Sequence, residues 1–141
     1  MAKEISIHWV EGNAWRAETR GHAVVADILP SAGEESLGMT PGELMVAAMG
    51  LCMSLNLSYY SMRHPGIDLS QVRVELTWED APDLPSRIGV IRGRVILPDT
   101  LSKQERKAIL PVLESCKVSR TLRRGLEIDL EIEYEIAAPT A

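Results

Sequence analysis

Residues 40–60 read TPGELMVAAMGLCMSLNLSYY, a stretch that predicts a long helix at the centre of the protein. Thr40 suits the N-cap, Pro41 suits the first helical position, and Glu43 completes a capping box three residues after Thr40. Apolar residues follow at helical spacing, and three methionines line a second face. Because such a helix is apolar on most sides, we expect it to lie in the interior and to end before Pro65.

The sequence on both sides of this helix alternates with a period of two, which predicts strands. Before the helix we expect three strands, over residues 3–10, 15–20 and 23–28. After it we expect a hairpin of two strands, over residues 72–79 and 88–97. Turn-forming residues separate the first three strands, so they should form an antiparallel meander.

Two further helices and a last strand complete the predicted order. Ser102 begins a helix with Glu105 as its capping-box partner, and a short helix follows over residues 115–124. Residues 126–136 alternate again and predict a final strand. The order βββ-α-ββ-α-α-β predicts an α+β sandwich, built as a single domain over residues 1–141.

The composition is that of a soluble globular protein. The 141 residues are 45% hydrophobic and 25% charged, and the net charge is −5. An acidic chain argues against nucleic acid and against an anionic membrane as partners, because both attract clustered lysine and arginine. The start of the chain has no apolar leader, and the most apolar stretch, residues 44–57, is too short for a bilayer. We therefore expect a cytoplasmic protein.

Cys52 and Cys116 are the only thiols of the chain. In a reducing compartment such cysteines are either small core residues or catalytic groups, and the residues alone leave both interpretations open. Cys52 lies about three turns into its helix, so a reactive thiolate there would need a cation from elsewhere. Cys116 precedes a short helix whose free N–H groups favour a thiolate. The three histidines are scattered, so we predict no metal and no cofactor.

Two motifs resemble the OsmC/Ohr family of osmotically induced and organic hydroperoxide resistance proteins. The first is P-x-E-L-x-x-A-A-x-x-x-C, which runs from Pro41 to Cys52. The second runs from Cys116 to Leu122 and resembles the family's C-P-V-S-x-x-L. The resemblance covers most of the chain. It implies an OsmC-like fold and an intertwined homodimer with active sites at the subunit interface.

The resemblance also implies a thiol-dependent peroxidase of the oxidative-stress defence. Cys52 would attack organic hydroperoxides, with hydrogen peroxide as a further candidate, and become a sulfenate. Cys116 would resolve the sulfenate as a disulfide, which an external dithiol would reduce. The alternative is a non-enzymatic dimer that binds a hydrophobic small molecule at its interface, with both cysteines idle.

The chain departs from the family pattern at three places, which puts it nearer the broader OsmC-like branch. Gly42 stands where the organic hydroperoxide group has a glutamate that holds an arginine against the thiolate, and Glu43 is the candidate substitute. The arginine would come from the first three strands, where Arg20 is the first choice and Arg16 the second. Lys117 replaces the proline after the second cysteine.

Overall fold

The structure is a computed structural model that describes residues 3–83 and 86–135. It confirms the mixed class and the order of strands and helices up to residue 124. The elements are β1 (Ser6–Glu11), β2 (Ala14–Thr19), β3 (His22–Ala26), α1 (Pro41–Arg63), a 3-10 turn (Leu69–Gln71), β4 (Arg73–Asp80), β5 (Ile88–Ile96), α2 (Lys103–Glu114) and α3 (Lys117–Arg124).

The first three strands form an antiparallel meander, as predicted. The turn between β2 and β3 consists of Arg20 and Gly21, one position earlier than the expected Gly21-His22. Both turn residues have positive φ, 52° and 78°. This is the geometry of a two-residue hairpin whose twist matches that of the strands.

The strand pairing collects apolar side chains on one face of the meander. Trp9 lies opposite Trp15, and Ile7 is aligned through Ala17 with Val24. The large side chains of this face are exposed in the single chain. The meander makes no extensive contact with a helix or with the second sheet among the described residues. Its apolar face is therefore uncovered in one chain.

The helix α1 begins and ends as the sequence predicts. Thr40 Oγ1 accepts the N–H of Glu43 at 3.2 Å, and Glu43 Oε1 accepts the N–H of Thr40 at 2.8 Å. The helix ends at Arg63, before Pro65. The capping box satisfies two backbone donors that a helix start would otherwise leave unpaired.

The sequence predicts a helix that is apolar on most sides, and in the single chain one of these sides is buried while another is exposed. Leu51, Leu55 and Tyr59 are 64%, 57% and 65% exposed, and the buried positions are Val46, Gly50 and Leu57. Periodicity locates the apolar surface of a helix. When the helix is apolar all round, periodicity does not say which side meets the chain's own sheet. The exposed positions form a stripe, which we call the α1 stripe: Leu51, Leu55, Tyr59 and Met62.

α1 packs on the hairpin of β4 and β5 through a close approach at Gly50. A Cβ atom at this position would lie 3.0 Å from Leu76 Cδ1, tighter than ordinary van der Waals contact. The glycine therefore lets the helix approach β4 more closely than any other residue would. This contact fixes the height of α1 above the second sheet.

The core lies between α1 and α2 and consists of Leu57, Leu101, Ile109 and Leu113. Asn56 Nδ2 donates to the carbonyl of Val112 and to the hydroxyl of Ser115, at 3.3 Å in both cases. The end of α2 is thereby tied to the middle of α1. Because Cys116 follows Ser115, the same tie places Cys116 beside α1.

The predicted last strand is wrong for the single chain. Residues 126–135 form no strand, and residue 136 lies outside the described part. The alternating apolar side chains are between 67% and 92% exposed: Leu126, Ile128, Leu130, Ile132 and Tyr134. Alternation tells which side chains share a face. A strand also needs a neighbouring backbone to pair with, and the described part of this chain does not supply one.

α1 is long and apolar enough to cross a membrane by length and composition alone, with 23 residues and a hydropathy of 1.2. The apolar helix is therefore longer than the predicted apolar stretch, residues 44–57. The central helix of a soluble protein meets the same criterion. α1 also contacts β4, α2 and α3 within the chain.

The core between α1 and α2 predicts unequal effects for two adjacent substitutions in α2. Ile109 is 1% exposed and Leu110 is 56% exposed. Ile109→Ala should lower the free energy of unfolding by about 3 kcal/mol, because it leaves a cavity. Leu110→Ala should cost less than about 1 kcal/mol. Denaturant unfolding at a fixed protein concentration measures both, and equal losses would contradict the described core.

Candidate active site

The two cysteines meet where the N-terminus of α3 contacts α1. Cys52 lies in the middle of α1, and Cys116 is the N-cap of α3. Both are free thiols, and each affects the pKa of the other, which requires their side chains to be neighbours. The fold thus brings together the two predicted thiols, which come from separate motifs.

Cys116 is fully buried and held from two sides. Its Sγ accepts the N–H of Ser119 at 3.3 Å, which caps α3, and its thiol donates to the carbonyl of Met49 at 3.7 Å. Burial raises the pKa of the Cys116 thiol above its ordinary value, and the neighbouring Cys52 adds to this effect. A buried thiol without a nearby cation favours the protonated form. Cys116 therefore keeps its proton at neutral pH.

Cys52 is half-buried, and its pKa is shifted in the opposite direction. The backbone N–H of Val118 lowers the pKa of Cys52 below its ordinary value, and partial burial opposes this effect. The Cys116 thiol, the N–H of Lys117 and the charge of Lys117 lower the pKa further. All these groups stabilise the thiolate, because donors and cations favour the charged form.

The N-terminus of α3 acts on both cysteines, and at Cys116 burial raises the pKa more than the N–H groups of Ser119 and Val118 lower it. From the sequence we expected the free N–H groups to favour a thiolate at Cys116 and Cys52 to need a cation from elsewhere. In the structure the N–H groups of Lys117 and Val118 act on Cys52. The sequence shows that the second motif lies at the start of a helix. Only the tertiary contact shows that the N–H groups of this helix also lower the pKa of Cys52.

The predicted arginines lie away from the thiols within one chain. Arg16 Nε pairs with Glu18 Oε1 at 2.6 Å on β2, and Arg20 occupies the exposed β2–β3 turn. Neither is among the groups that act on the pKa of Cys52. Their activating role stays a prediction, which would require the meander of a second chain.

Glu43 is occupied in the capping box of α1, where its carboxylate accepts the N–H of Thr40. It starts the helix that carries Cys52, and its described contacts are those of a helix cap. Gly42 has room for a side chain, because a Cβ there would lie 3.8 Å from its nearest neighbour, Ile88 Cδ1. The catalytic role predicted for Glu43 is not tested by these contacts.

A cavity of about 540 Å³ lies between α1, β5 and the last two helices, and neither cysteine is among the residues that line it. Three methionines of α1, Met45, Met49 and Met53, line one wall. Met49 and Met53 flank Cys52, and Ser119, which caps α3 through Cys116, lines the cavity as well. The polar groups around this mostly apolar space include Glu114 and Arg123. The space has the size and character of a small-molecule site.

Comparison with known proteins gives one family match. A family model described as OsmC-like protein matches residues 33–131 of this chain. No curated protein matches the chain. The match includes both cysteines and all the helices that position them.

Solved structures of several bacterial proteins share the fold. The chain is similar to an osmotic stress induced and detoxification response protein from Psychrobacter arcticus 273-4, with a TM-score of 0.72, 15% identity, and coverage of 86% of this chain and 88% of that one. An OsmC like protein from Mycoplasma pneumoniae gives a TM-score of 0.69 and 15% identity, over 87% and 88%. The organic hydroperoxide resistance protein OhrB of Bacillus subtilis gives 0.58 and 18%, over 92% and 98%.

The opposite pKa shifts predict that iodoacetamide modifies Cys52 first. The Cys52 thiolate persists to lower pH than that of an ordinary cysteine, so its alkylation should stay fast as pH falls towards neutrality. Cys116 is buried and protonated and should react more slowly at every pH. Mass spectrometry of the labelled peptides measures both rates. In denaturant the two rates should become similar, and equal rates in the folded protein would contradict the assignment.

Proposed function

The chain belongs to the OsmC-like family, and we propose that it is a thiol-dependent peroxidase that reduces organic hydroperoxides in oxidative-stress defence. The observation that carries the proposal is the contact between Cys52, whose pKa is lowered, and Cys116, whose pKa is raised. A thiolate beside a protonated thiol is the pairing needed for attack followed by resolution. The fold shared with an organic hydroperoxide resistance protein supports the same reaction class.

The reaction begins with attack of the Cys52 thiolate on the outer oxygen of the hydroperoxide. The S–O bond forms as the O–O bond breaks, and the alkoxide leaves and takes a proton from water to become the alcohol. Cys52 is then a sulfenic acid. The Cys116 sulfur attacks the Cys52 sulfur, and the hydroxyl group leaves as water with the Cys116 proton, which gives a disulfide. An external dithiol returns both cysteines to thiols and is itself oxidised.

The methionine-lined cavity supports an organic substrate. Its wall includes Met49 and Met53, which are near Cys52 along α1, and would bury an alkyl chain. Hydrogen peroxide has no apolar part to bury, so we propose that it is the poorer substrate. The cycle consumes reducing equivalents from a dithiol, which the cytoplasm supplies, and we place the protein there.

We also propose that the working protein is a homodimer. The single chain has an accessible surface of 12120 Å², against about 7,200 Å² for a compact monomer of its mass. The excess comes with three uncovered apolar surfaces: the meander face, the α1 stripe and residues 126–135. Surfaces of this size on one chain mark an interface. A second chain covering them would also bring an arginine of its own meander, Arg20 or Arg16, within reach of Cys52.

The second candidate function is non-enzymatic binding of a hydrophobic small molecule. The methionine-lined cavity favours it, because such a space binds apolar ligands whether or not the adjacent sulfurs react. Counting free thiols after addition of cumene hydroperoxide separates the two functions. Binding alone leaves both thiols intact, whereas the peroxidase loses both as one intramolecular disulfide.

Substitution of each cysteine by serine tests the assignment of roles. Cys52→Ser should abolish hydroperoxide consumption with the fold intact, because serine is close to cysteine in shape. Cys116→Ser should keep the helix cap and the first oxidation but block the disulfide, so Cys52 should gain two oxygen atoms under excess peroxide. Peroxide assays and mass spectrometry measure these outcomes. Wild-type turnover by Cys52→Ser, or a reduced Cys52 in oxidised Cys116→Ser, would contradict the proposal.

The α1 stripe predicts the position of the dimer interface. Leu55→Glu places a charge at the centre of the stripe and should convert the dimer to a monomer. Gln104→Glu adds the same charge at an exposed position of α2 and should leave the dimer intact. Light scattering at micromolar concentration gives the masses. A monomeric wild type would refute the dimer, and a dimeric Leu55→Glu would move the interface elsewhere.

A further inference from the structure

The helix α3 separates two concave surfaces of the protein. Three of its residues line the methionine-lined cavity: Ser119, Leu122 and Arg123. Four others line a groove of about 780 Å³, which we call the α3 groove: Lys117, Arg120, Thr121 and Arg124. Because successive residues of a helix are about 100° apart, the two sets lie on opposite faces of α3. The α3 groove is therefore distinct from the cavity of the proposed peroxidase.

The α3 groove carries the positive charges of Lys117, Arg120 and Arg124, and none of its described lining residues is acidic. None of the three cations forms an ion pair within residues 3–83 and 86–135. By contrast, every arginine of the strands is paired with a carboxylate: Arg16, Arg73, Arg92 and Arg94. The charge of the groove is therefore uncompensated in the described part of a chain whose net charge is −5.

The dipole of α3 accounts for only part of this positive charge. Arg124 lies in the last turn, where a cation is favourable. Lys117 lies at the first helical position, and the first turn has no acidic residue. A cation at that end of a helix faces the positive end of the dipole, which is unfavourable. The groove therefore holds more positive charge than the helix dipole favours.

We propose that the α3 groove binds a small phosphate ester, with the side chains of Lys117, Arg120 and Arg124 as donors to the phosphate. A phosphate group carries up to two negative charges at neutral pH and has three acceptor oxygens, so it accepts from several cations at once. A carboxylate has one charge and only two oxygens. The hydroxyls of Ser115 and Thr121 donate to backbone carbonyls, which leaves the cations as the donors to a ligand.

The size of the groove favours an ester over the free phosphate ion. The volume of about 780 Å³ is in the range of small-molecule pockets, and a phosphate ion fills only a small part of it. Leu126 lines the same groove and is largely exposed. Its side chain offers an apolar contact to the organic part of the ester. The ligand class is thus a phosphate group joined to a compact apolar group.

Phenyl phosphate and benzoate test this ligand class, because they share a phenyl ring and differ in the charged group. Amide NMR titrations of the full chain at low ionic strength give both affinities. Phenyl phosphate should shift the amide signals of residues 117–124 and bind at least about tenfold more tightly than benzoate. Added salt should weaken its binding. Unchanged α3 amides, or equal affinities for the two probes, would overturn the proposal.

Two double variants test where the probe binds. Arg120→Gln/Arg124→Gln removes two charges one helical turn apart on α3 and should weaken phenyl phosphate binding by at least about tenfold. Lys103→Gln/Lys107→Gln is the matched control, since it removes two charges at the same spacing from exposed positions of α2 outside the groove. It should change the affinity by less than about twofold. Equal losses in both variants would reveal a general effect of net charge and contradict the assigned site.

Light scattering of the same variants tests whether a second copy of the chain occupies the groove instead. With a phosphate site, Arg120→Gln/Arg124→Gln keeps the mass of the wild type. A smaller mass would mean that acidic residues of another chain, such as those of the segment 127–135, cover the groove, and the proposal would fall. The inference does not rest on the proposed peroxidase function, because none of these measurements uses a peroxide.

Discussion

The contact between the N-terminus of α3 and the middle of α1 is the constraint on which the site depends. A thiol in the middle of a helix gains almost nothing from the dipole of that helix, and burial alone would make it a weaker acid. In this structure the stabilisation of the Cys52 thiolate comes from the N-terminus of a second helix, α3. The tie from Asn56 to the end of α2 sets the position of that second helix. The packing of α1 against α2 therefore determines where α3 begins, through the hydrogen bond from Asn56 to Ser115 next to Cys116.

The same contact shifts the pKa values of the two sulfurs in opposite directions. Cys116 is the cap of α3 and lies inside the protein, where burial raises its pKa more than the amides of Ser119 and Val118 lower it. At the half-buried Cys52 the amides of Val118 and Lys117 lower the pKa despite partial burial. Identical side chains thereby differ in acidity, with Cys52 the stronger acid and Cys116 the weaker one.

The sequence predicts the local elements well because their signals are local. The capping box at Thr40 is complete, and the meander and the hairpin form where alternation indicates. Ser102 caps α2 by accepting the N–H of Glu105, but the Glu105 carboxylate bonds the Ser102 hydroxyl and not its backbone N–H, so the predicted capping box there is only half formed. The errors concern partners at a distance. The sequence shows that α1 is apolar all round but not that Gly50 selects the side facing β4. It shows that the region after Gly125 alternates, but not that the chain leaves it unpaired. It identifies both cysteines, and the use of the α3 amides by Cys52 follows only from the tertiary contact.

The unpaired segment after α3 also bears on solubility. Between its exposed apolar residues stand five acidic ones, so every second side chain is a carboxylate: Glu127, Asp129, Glu131, Glu133 and Glu135. An exposed alternating segment of this kind is a template for uncontrolled strand addition. Stacked copies in register would place like charges directly opposite one another, which is unfavourable. The carboxylates thus act as gatekeepers that oppose open-ended stacking at neutral pH, and this protection weakens as acid neutralises them.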